Sequence, residues 1–374
     1  MVVVMKVLSP ADEKALADLA SAIVDQQRAR VAVKPQQTSS GFWFGGGNLV
    51  ADTRGSLWLV GRYRDAGDSR SGLQQGKRGW QLSVLHASDV EAPFEEVGNL
   101  QKSSLGVNDR QVLSIEGSAL RQLPDSSWEL YVSSEKTNIG YPEPFTDYLK
   151  PDTGVWTIDR LRAQSIDGLL SAAVETVVES RELAHMHVKD PFLYELSSDQ
   201  TLLLFCTHPY CWTSSNSAYV PMRDGDVIFR SAVYDFFARG FTWDVAMTRA
   251  TCAWDVPAVG RFQDRQVTLL FYDGGESLRN MDEHETAVRR ARGYSCEELG
   301  GVAYVLDRQF ANVRRLSRYC PSFVSPWGTG CSRYVDVLTT KEGVIATWQQ
   351  SQDDLSQPLV RHFLKMDDVH RCLT

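Results

Sequence analysis

No run of about 18 uncharged apolar residues occurs anywhere in the 374-residue sequence, so no segment is long enough to cross a bilayer as a helix. A concentrated basic stretch is also missing. The chain carries 39 Lys and Arg against 47 Asp and Glu, a net charge of −8, which argues against a nucleic-acid groove or an anionic membrane as its main partner. The seven cysteines (Cys206, Cys211, Cys252, Cys296, Cys320, Cys331 and Cys372) are odd in number and never spaced C-x-x-C. Reduced, mostly buried thiols are expected from them rather than a disulfide framework or a zinc site. The opening Met1-Val-Val-Val-Met-Lys-Val-Leu is too short for a secretory h-region and lacks a small-residue cleavage site. Cytoplasmic residence is the expectation. Gly45-Gly-Gly47 lacks the context of a phosphate-binding loop and is read instead as a close backbone approach. No cofactor and no metal is expected, His185-Met-His187 being read as satisfied histidines rather than a ligand pair.

What the sequence does have is an internal repeat. Segments beginning at Leu57, Trp128, Thr201, Val267 and Val344 match one another, each rich in β-branched and aromatic residues and each ending in polar ones. Their starts lie 71, 73, 66 and 77 residues apart, and a near-fixed period of this kind signals a repeated supersecondary unit. A short run and a turn precede most of them, as in Phe192-Leu-Tyr-Glu before Ser197-Ser-Asp-Gln, and two further strand candidates follow, as in Val155-Trp-Thr-Ile-Asp and Val174-Glu-Thr-Val-Val-Glu. Four strands repeated five times describe an all-β, five-bladed β-propeller, assigned here to residues 42–374. Residues 1–41 form an extension. In it, Val2–Val7 is expected to close the ring by pairing with the last blade, and a helix from Pro10 to about Arg30 is expected to serve packing or a homodimer contact. The charged stretch Met281–Arg292 is read as a solvated helical insertion.

In such a fold the inner strands begin, and the second strands end, at one axial mouth. Second strands run into Arg62, Arg64, Asp65 and Arg70, into Glu135 and Lys136, into His208, and into Asp273. Inner strands open with Glu116, with Asp190, and with Arg333 and Asp336. Ionisable groups inside apolar strands cost free energy unless they are paired or functional, so several openings on one rim mark a candidate site. Trp43, Tyr63, Tyr141, Tyr210, Trp212, Trp243, Trp254 and Trp327 are candidate rim aromatics, Trp212 and Trp243 among the expected substrate contacts.

Asp190-Pro191-Phe-Leu-Tyr, and Ile115-Glu116-Gly117-Ser118-Ala-Leu followed by Trp128-Glu-Leu-Tyr-Val-Ser, resemble blade openings of the five-bladed glycoside hydrolases, including families 43, 32, 117 and 130. The resemblance implies cleavage of an oligosaccharide by a carboxylate pair. Family 43 places an aspartate base on the first blade, whereas here that strand opens Gly45-Gly-Gly-Asn48, and the Glu and Asp openings come in the reverse blade order. The likeness is therefore to the superfamily and not to one family. Glycoside cleavage needs one carboxylic acid and one carboxylate. The reading assigns Glu116 as donor and Asp190 as base or nucleophile, with Asp336 and Asp273 in reserve, and expects exo action because long loops follow Arg64 and Glu135. The arginines, with Lys136 and His208, hint at an anionic sugar or at phosphate. That keeps a glycoside phosphorylase, a polysaccharide lyase and a non-catalytic glycan- or protein-binding propeller open as alternatives.

Overall fold

A computed structural model describes residues 7–65, 79–223, 225–276 and 298–374. After helix α1 (Pro10–Ile23) and strand β1 (Arg30–Val33), blade 1 comprises β2 (Trp43–Gly45) and β3 (Leu49–Ala51) on the inside, then β4 (Leu57–Arg64), β5 (Gln81–Ala87) and β6 (Glu95–Gln101). Blade 2 is β7 (Val112–Gln122), β8 (Trp128–Lys136), β9 (Val155–Ala163) and β10 (Glu175–Val178). Blade 3 is β11 (His187–Ser197), β12 (Gln200–His208) and β13 (Asn216–Arg223), with the short β14 (Asp226–Val227) and β15 (Val233–Phe237). Blade 4 is β16 (Met247–Asp255), β17 (Val267–Gly275), β18 (Leu299–Leu306) and β19 (Arg314–Arg315). Blade 5 is β20 (Ser332–Thr339), β21 (Gly343–Gln350) and β22 (Leu359–Lys365), after which helix α3 (Met366–Leu373) follows; a one-turn helix α2 (Ile166–Leu169) sits in blade 2. The five repeated segments are β4, β8, β12, β17 and β21, the second strand of every blade.

Ring closure differs from expectation. Residues 2–6 lie outside the described residues. The outermost strand of blade 5 is supplied by β1, which pairs antiparallel with β22 through Arg30 opposite Arg361 and Val31 opposite Val360. Pairing a strand that precedes blade 1 with the third strand of blade 5 covers the β22 edge and ties the two ends of the ring together. The expected insertion Met281–Arg292 also lies outside the described residues.

The core is distributed. Apolar clusters fill each of the five seams between neighbouring blades, for example Leu82, Leu120 and Leu130 between blades 1 and 2, and Tyr131, Leu203 and Phe205 between blades 2 and 3. Helix α1 begins on Pro10 behind Ser9, whose hydroxyl accepts from Asp12 N–H in a capping box, so an otherwise orphan donor is satisfied. The helix ends at Ile23, short of the expected Arg30. Its apolar stripe, Leu16, Leu19, Ala20 and Ile23, is buried with α3 on the seam of blades 4 and 5. Glu13 adds bonds to Tyr304 and Arg318. This face is thus occupied by packing within the chain.

Candidate active site

The inner strands β7, β11, β16 and β20 each slip register near their start, between Ile115 and Ser118, Lys189 and Phe192, Ala250 and Cys252, and Arg333 and Asp336. A bulge of this kind puts an extra residue into the strand and re-aims its side chains. Here it turns Glu116, Asp190, Arg249, Arg333 and Tyr334 onto a shared axial mouth.

There they form a circuit through all five blades. Arg62 of blade 1 forks onto Glu116 of blade 2, its Nε 2.9 Å from Oε2. Gly117 N–H, next along, donates to Asp190 Oδ1 of blade 3 at 2.9 Å. Arg249 of blade 4 reaches Asp190 Oδ2 at 3.4 Å, and Asp273 Oδ2 and Glu298 Oε2 at 2.7 and 2.6 Å. Asp273 accepts the Tyr334 backbone N–H of blade 5 at 3.0 Å, and Arg62 Nη2 returns to the Tyr334 hydroxyl at 3.3 Å. Arg333 pairs with Glu298. Glycine permits two close approaches: a Cβ on Gly117 would lie 2.5 Å from Asp190 Oδ1, and one on Gly46, at φ +73°, would lie against the Arg62 guanidinium. The rest of the glycine run at the start of blade 1 is crowded by other groups, Gly45 by Gln349 and Gly47 by the Val60 carbonyl.

Two residues of the circuit carry strain. Asp190 and Tyr334 have φ of 52° and 55°, in the left-handed region, where a non-glycine residue costs roughly 1–3 kcal/mol and persists only where its surroundings enforce it. The Tyr334 ring lies 4.2 Å from the Arg249 guanidinium and 5.3 Å from that of Arg62, so cation–π attraction supports its placement.

Burial and charge set the proton affinities. Burial pushes Glu116 upward, but Arg62 above all, with Lys189 and Arg64, outweighs it and holds the carboxyl well below the usual carboxylate range. Glu298 follows the same balance against Arg249 and Arg333. Asp273 goes the other way: burial lifts it to about 6 against the pull of Arg249. The mouth therefore holds carboxyls of opposed proton affinity, an arrangement suited to acid–base chemistry.

Several expected site residues lie elsewhere. Lys136 is fully enclosed, 2.5 Å from Asp159, a buried ion pair between β8 and β9. Glu135 accepts from Gly154 N–H at 2.8 Å and holds the loop after its strand. Trp243 is a packing residue, buried, donating to Ser317 O at 3.0 Å and stacked on Tyr272; Trp254 is buried in the seam of blades 4 and 5 and bonds Thr339. Asp336 accepts from Leu49 N–H at 2.7 Å, and burial raises it to about 6 with Cys252 beside it; its contacts are with β3 and β16, not with the arginines. Asp65 is half-buried, with Oδ1 enclosed, and Arg70 lies outside the described residues. Arg64 and Arg333 sandwich Trp43, each guanidinium 4.2 Å from an indole centroid.

On the blade 3 side, His208 Nδ1 lies 2.9 Å from Ser214 O, and burial, then Lys189, keeps it well below its ordinary value and neutral. Trp212 packs at a tilt against His208 and His187, ring centroids 4.5 and 4.3 Å away. His185 and His187 do not share a site: the first bonds Thr207, the second Tyr141. Among the described cysteines, Cys206, Cys252 and Cys331 are buried, while Cys211 and Cys320 are exposed.

Sequence reasoning missed Lys189, Arg249, Glu298 and Tyr334. Arg249 was within reach, because it stands third in inner strand β16, close to the opening as Asp190 is in β11.

No protein-family model matches the chain, and no curated protein matches it in sequence. Solved structures do. The α-L-arabinofuranosidase of Lactobacillus brevis superposes with a TM-score of 0.53 at 9% identity, covering 92% of this chain and 95% of that one. For RS223 β-xylosidase the values are 0.54 at 10% identity, covering 91% and 95%. A chain named glycoside hydrolase gives 0.58 at 8% identity, covering 96% of each. At such identities the likeness is one of fold, and it extends over the whole ring: the chain is a five-bladed β-propeller built like those of glycoside hydrolases.

Proposed function

We propose that this chain is a glycoside hydrolase that cleaves an oligosaccharide at the axial mouth, with Glu116 and Asp190 as its carboxylate pair. One observation carries the reading: Asp190, in a strained backbone conformation, is clamped by the N–H of Gly117, the residue after Glu116, so the pair comes from neighbouring blades joined at this point. The likeness in fold to an arabinofuranosidase and a xylosidase agrees with it.

The roles reverse the sequence expectation. Glu116 is kept ionised by Arg62, which suits the partner that attacks or activates water, and Asp190 then protonates the departing oxygen. Asp273 has the higher proton affinity, but its side chain is wholly enclosed behind Arg249. The loop after Glu135 carries Tyr141, which bonds His187 at the start of β11, and a loop fixed there agrees with removal of single sugars from a chain end.

Turnover of aryl glycosides and oligosaccharides tests the assignment. Glu116→Gln and Asp190→Asn should each lose about 10²–10⁴-fold. Azide should rescue Glu116→Gln, and a dinitrophenyl leaving group, which needs no acid, should rescue Asp190→Asn. Parental rates in both variants would reject the pair.

A second reading, a propeller that binds glycan without cleaving it, is favoured by one observation: Glu116, Asp190, Asp273 and Glu298 all lie in ion pairs with arginine. Saturable oligosaccharide binding with no product would select it.

A further inference from the structure

A chain of ring contacts runs from the exposed Tyr148 inward through the buried Tyr141 and His187 to Trp212, and Lys189 links it to Glu116. Its outer end is Tyr148, 62% exposed, whose ring lies 5.7 Å from Phe145 and 5.5 Å from Tyr210, with Phe145 and Tyr210 themselves 5.0 Å apart. Tyr210 meets Tyr141 edge-on at 6.3 Å, and Tyr141 meets His187 at 5.6 Å. His187 packs at a tilt on Trp212 at 4.3 Å, the Lys189 ammonium lies 5.7 Å from the Trp212 ring, and Lys189 stands 4.0 Å from Glu116.

Hydrogen bonds fix the middle of the track. Trp156 N–H donates to His187 Nδ1, which leaves the proton on Nε2 to donate to the Tyr141 hydroxyl 2.8 Å away. That hydroxyl in turn donates to Tyr210 O at 3.0 Å. Burial, with Lys189 adding to it, lowers His187 to about 3, so it is neutral and the chain of donors keeps one direction.

Two features go beyond packing. Tyr148 stays 62% exposed although two aromatic rings, Phe145 and Tyr210, lie against it. Trp212 is held at φ 54°, a conformation costly for a bulky residue, with one indole pressed on two imidazoles and the residue still partly exposed. Rings that offer an apolar face and a polar edge match the alternating C–H faces and hydroxyl rims of sugars.

Resting on the reading of the mouth as a glycan site, we propose that Tyr148, Phe145, Tyr210 and Trp212 form a stacking subsite for the second and further sugars of a glycan chain, so that the ligand is an oligosaccharide or polysaccharide rather than a single glycoside.

Electrophoresis of the full chain through gels containing soluble arabinoxylan, arabinan or polygalacturonate tests this directly. The parent should be retarded by at least one polymer. Tyr148→Ala, a surface change, and Trp212→Ala should each weaken that binding about five- to tenfold, and Tyr148→Phe should restore it. Retardation lost in Tyr148→Ala supports the subsite even if no reducing sugar is released, an outcome that would reject only the hydrolase reading. Binding by Tyr148→Ala equal to the parent's, or no retardation of the parent by any of the three, overturns the proposal.

Discussion

Arg249 bridges Asp190 and Asp273: one guanidinium nitrogen lies 3.4 Å from the first carboxylate and another 2.7 Å from the second. Blades 3 and 4 are thereby joined at the axis through a buried cation. Removing it leaves carboxylates without their counter-charge, which typically costs about 3–5 kcal/mol. Arg249→Met should lower the urea midpoint accordingly, and an unchanged midpoint would show that the bridge carries no weight.

Gly117 separates an effect on geometry from an effect on charge. A methyl group there would meet Asp190 Oδ1 at 2.5 Å and its Cα at 2.7 Å, and overpacking of this kind costs about 1–3 kcal/mol. Gly117→Ala should displace Asp190 and reduce turnover far more than it reduces stability. The comparison needs kcat and an unfolding curve on the same preparation; equal proportional losses would contradict it.

Lys136 makes the opposite case, a charge whose work is structural. Lys136→Met strands Asp159 in the interior and should destabilise by about 3–5 kcal/mol, whereas the double variant Lys136→Met with Asp159→Leu should recover most of the loss. Thermal melts of the three proteins check this, and a double variant as unstable as the single one would count against it.

Asp336 makes stability depend on pH. Burial raises it to about 6, above the value of about 3.9 expected in the unfolded chain, so the folded state binds its proton more tightly. Its contribution is complete below about pH 4 and is lost as pH rises through about 6; Asp273 acts in the same direction. Glu116 and Glu298, held low by their arginines, act oppositely and lose their contribution as the solution is acidified. Asp336→Asn keeps an acceptor for Leu49 N–H and never ionises. It should match the parent at pH 4 and exceed it at pH 8 by about 1–2 kcal/mol, the full shift being discounted because the residue is partly exposed. A gap independent of pH would rule out this account.

The blade pattern was legible because every second strand is buried on both faces and therefore reads as an unbroken β-branched and aromatic run. Glu116, Asp190 and Arg62 could be found because charge at the end of such a run is conspicuous. Lys136 was misplaced for a related reason: successive residues on a strand face opposite sides, and polarity at a strand end does not say which neighbour faces the axis. Tyr334 could not be located, since its position depends on a bulge between Arg333 and Asp336 that leaves no mark in an apolar pattern. Glu298 follows directly on a charged stretch and shares its solvent-exposed appearance. Closure by a strand of the N-terminal extension was legible, but the segment was not, because β1 is only four residues long and Val2–Val7 is the more apolar run.

The partnership of β1 with β22 also orders events in time. Strand β1 leaves the ribosome well before its hydrogen-bonding partner β22, with four blades and most of the fifth made in between. Contacts so distant in sequence form slowly. Strand β1 thus waits with that backbone edge unpaired until β22 has been made, and the circle can be sealed only once the fifth blade has emerged.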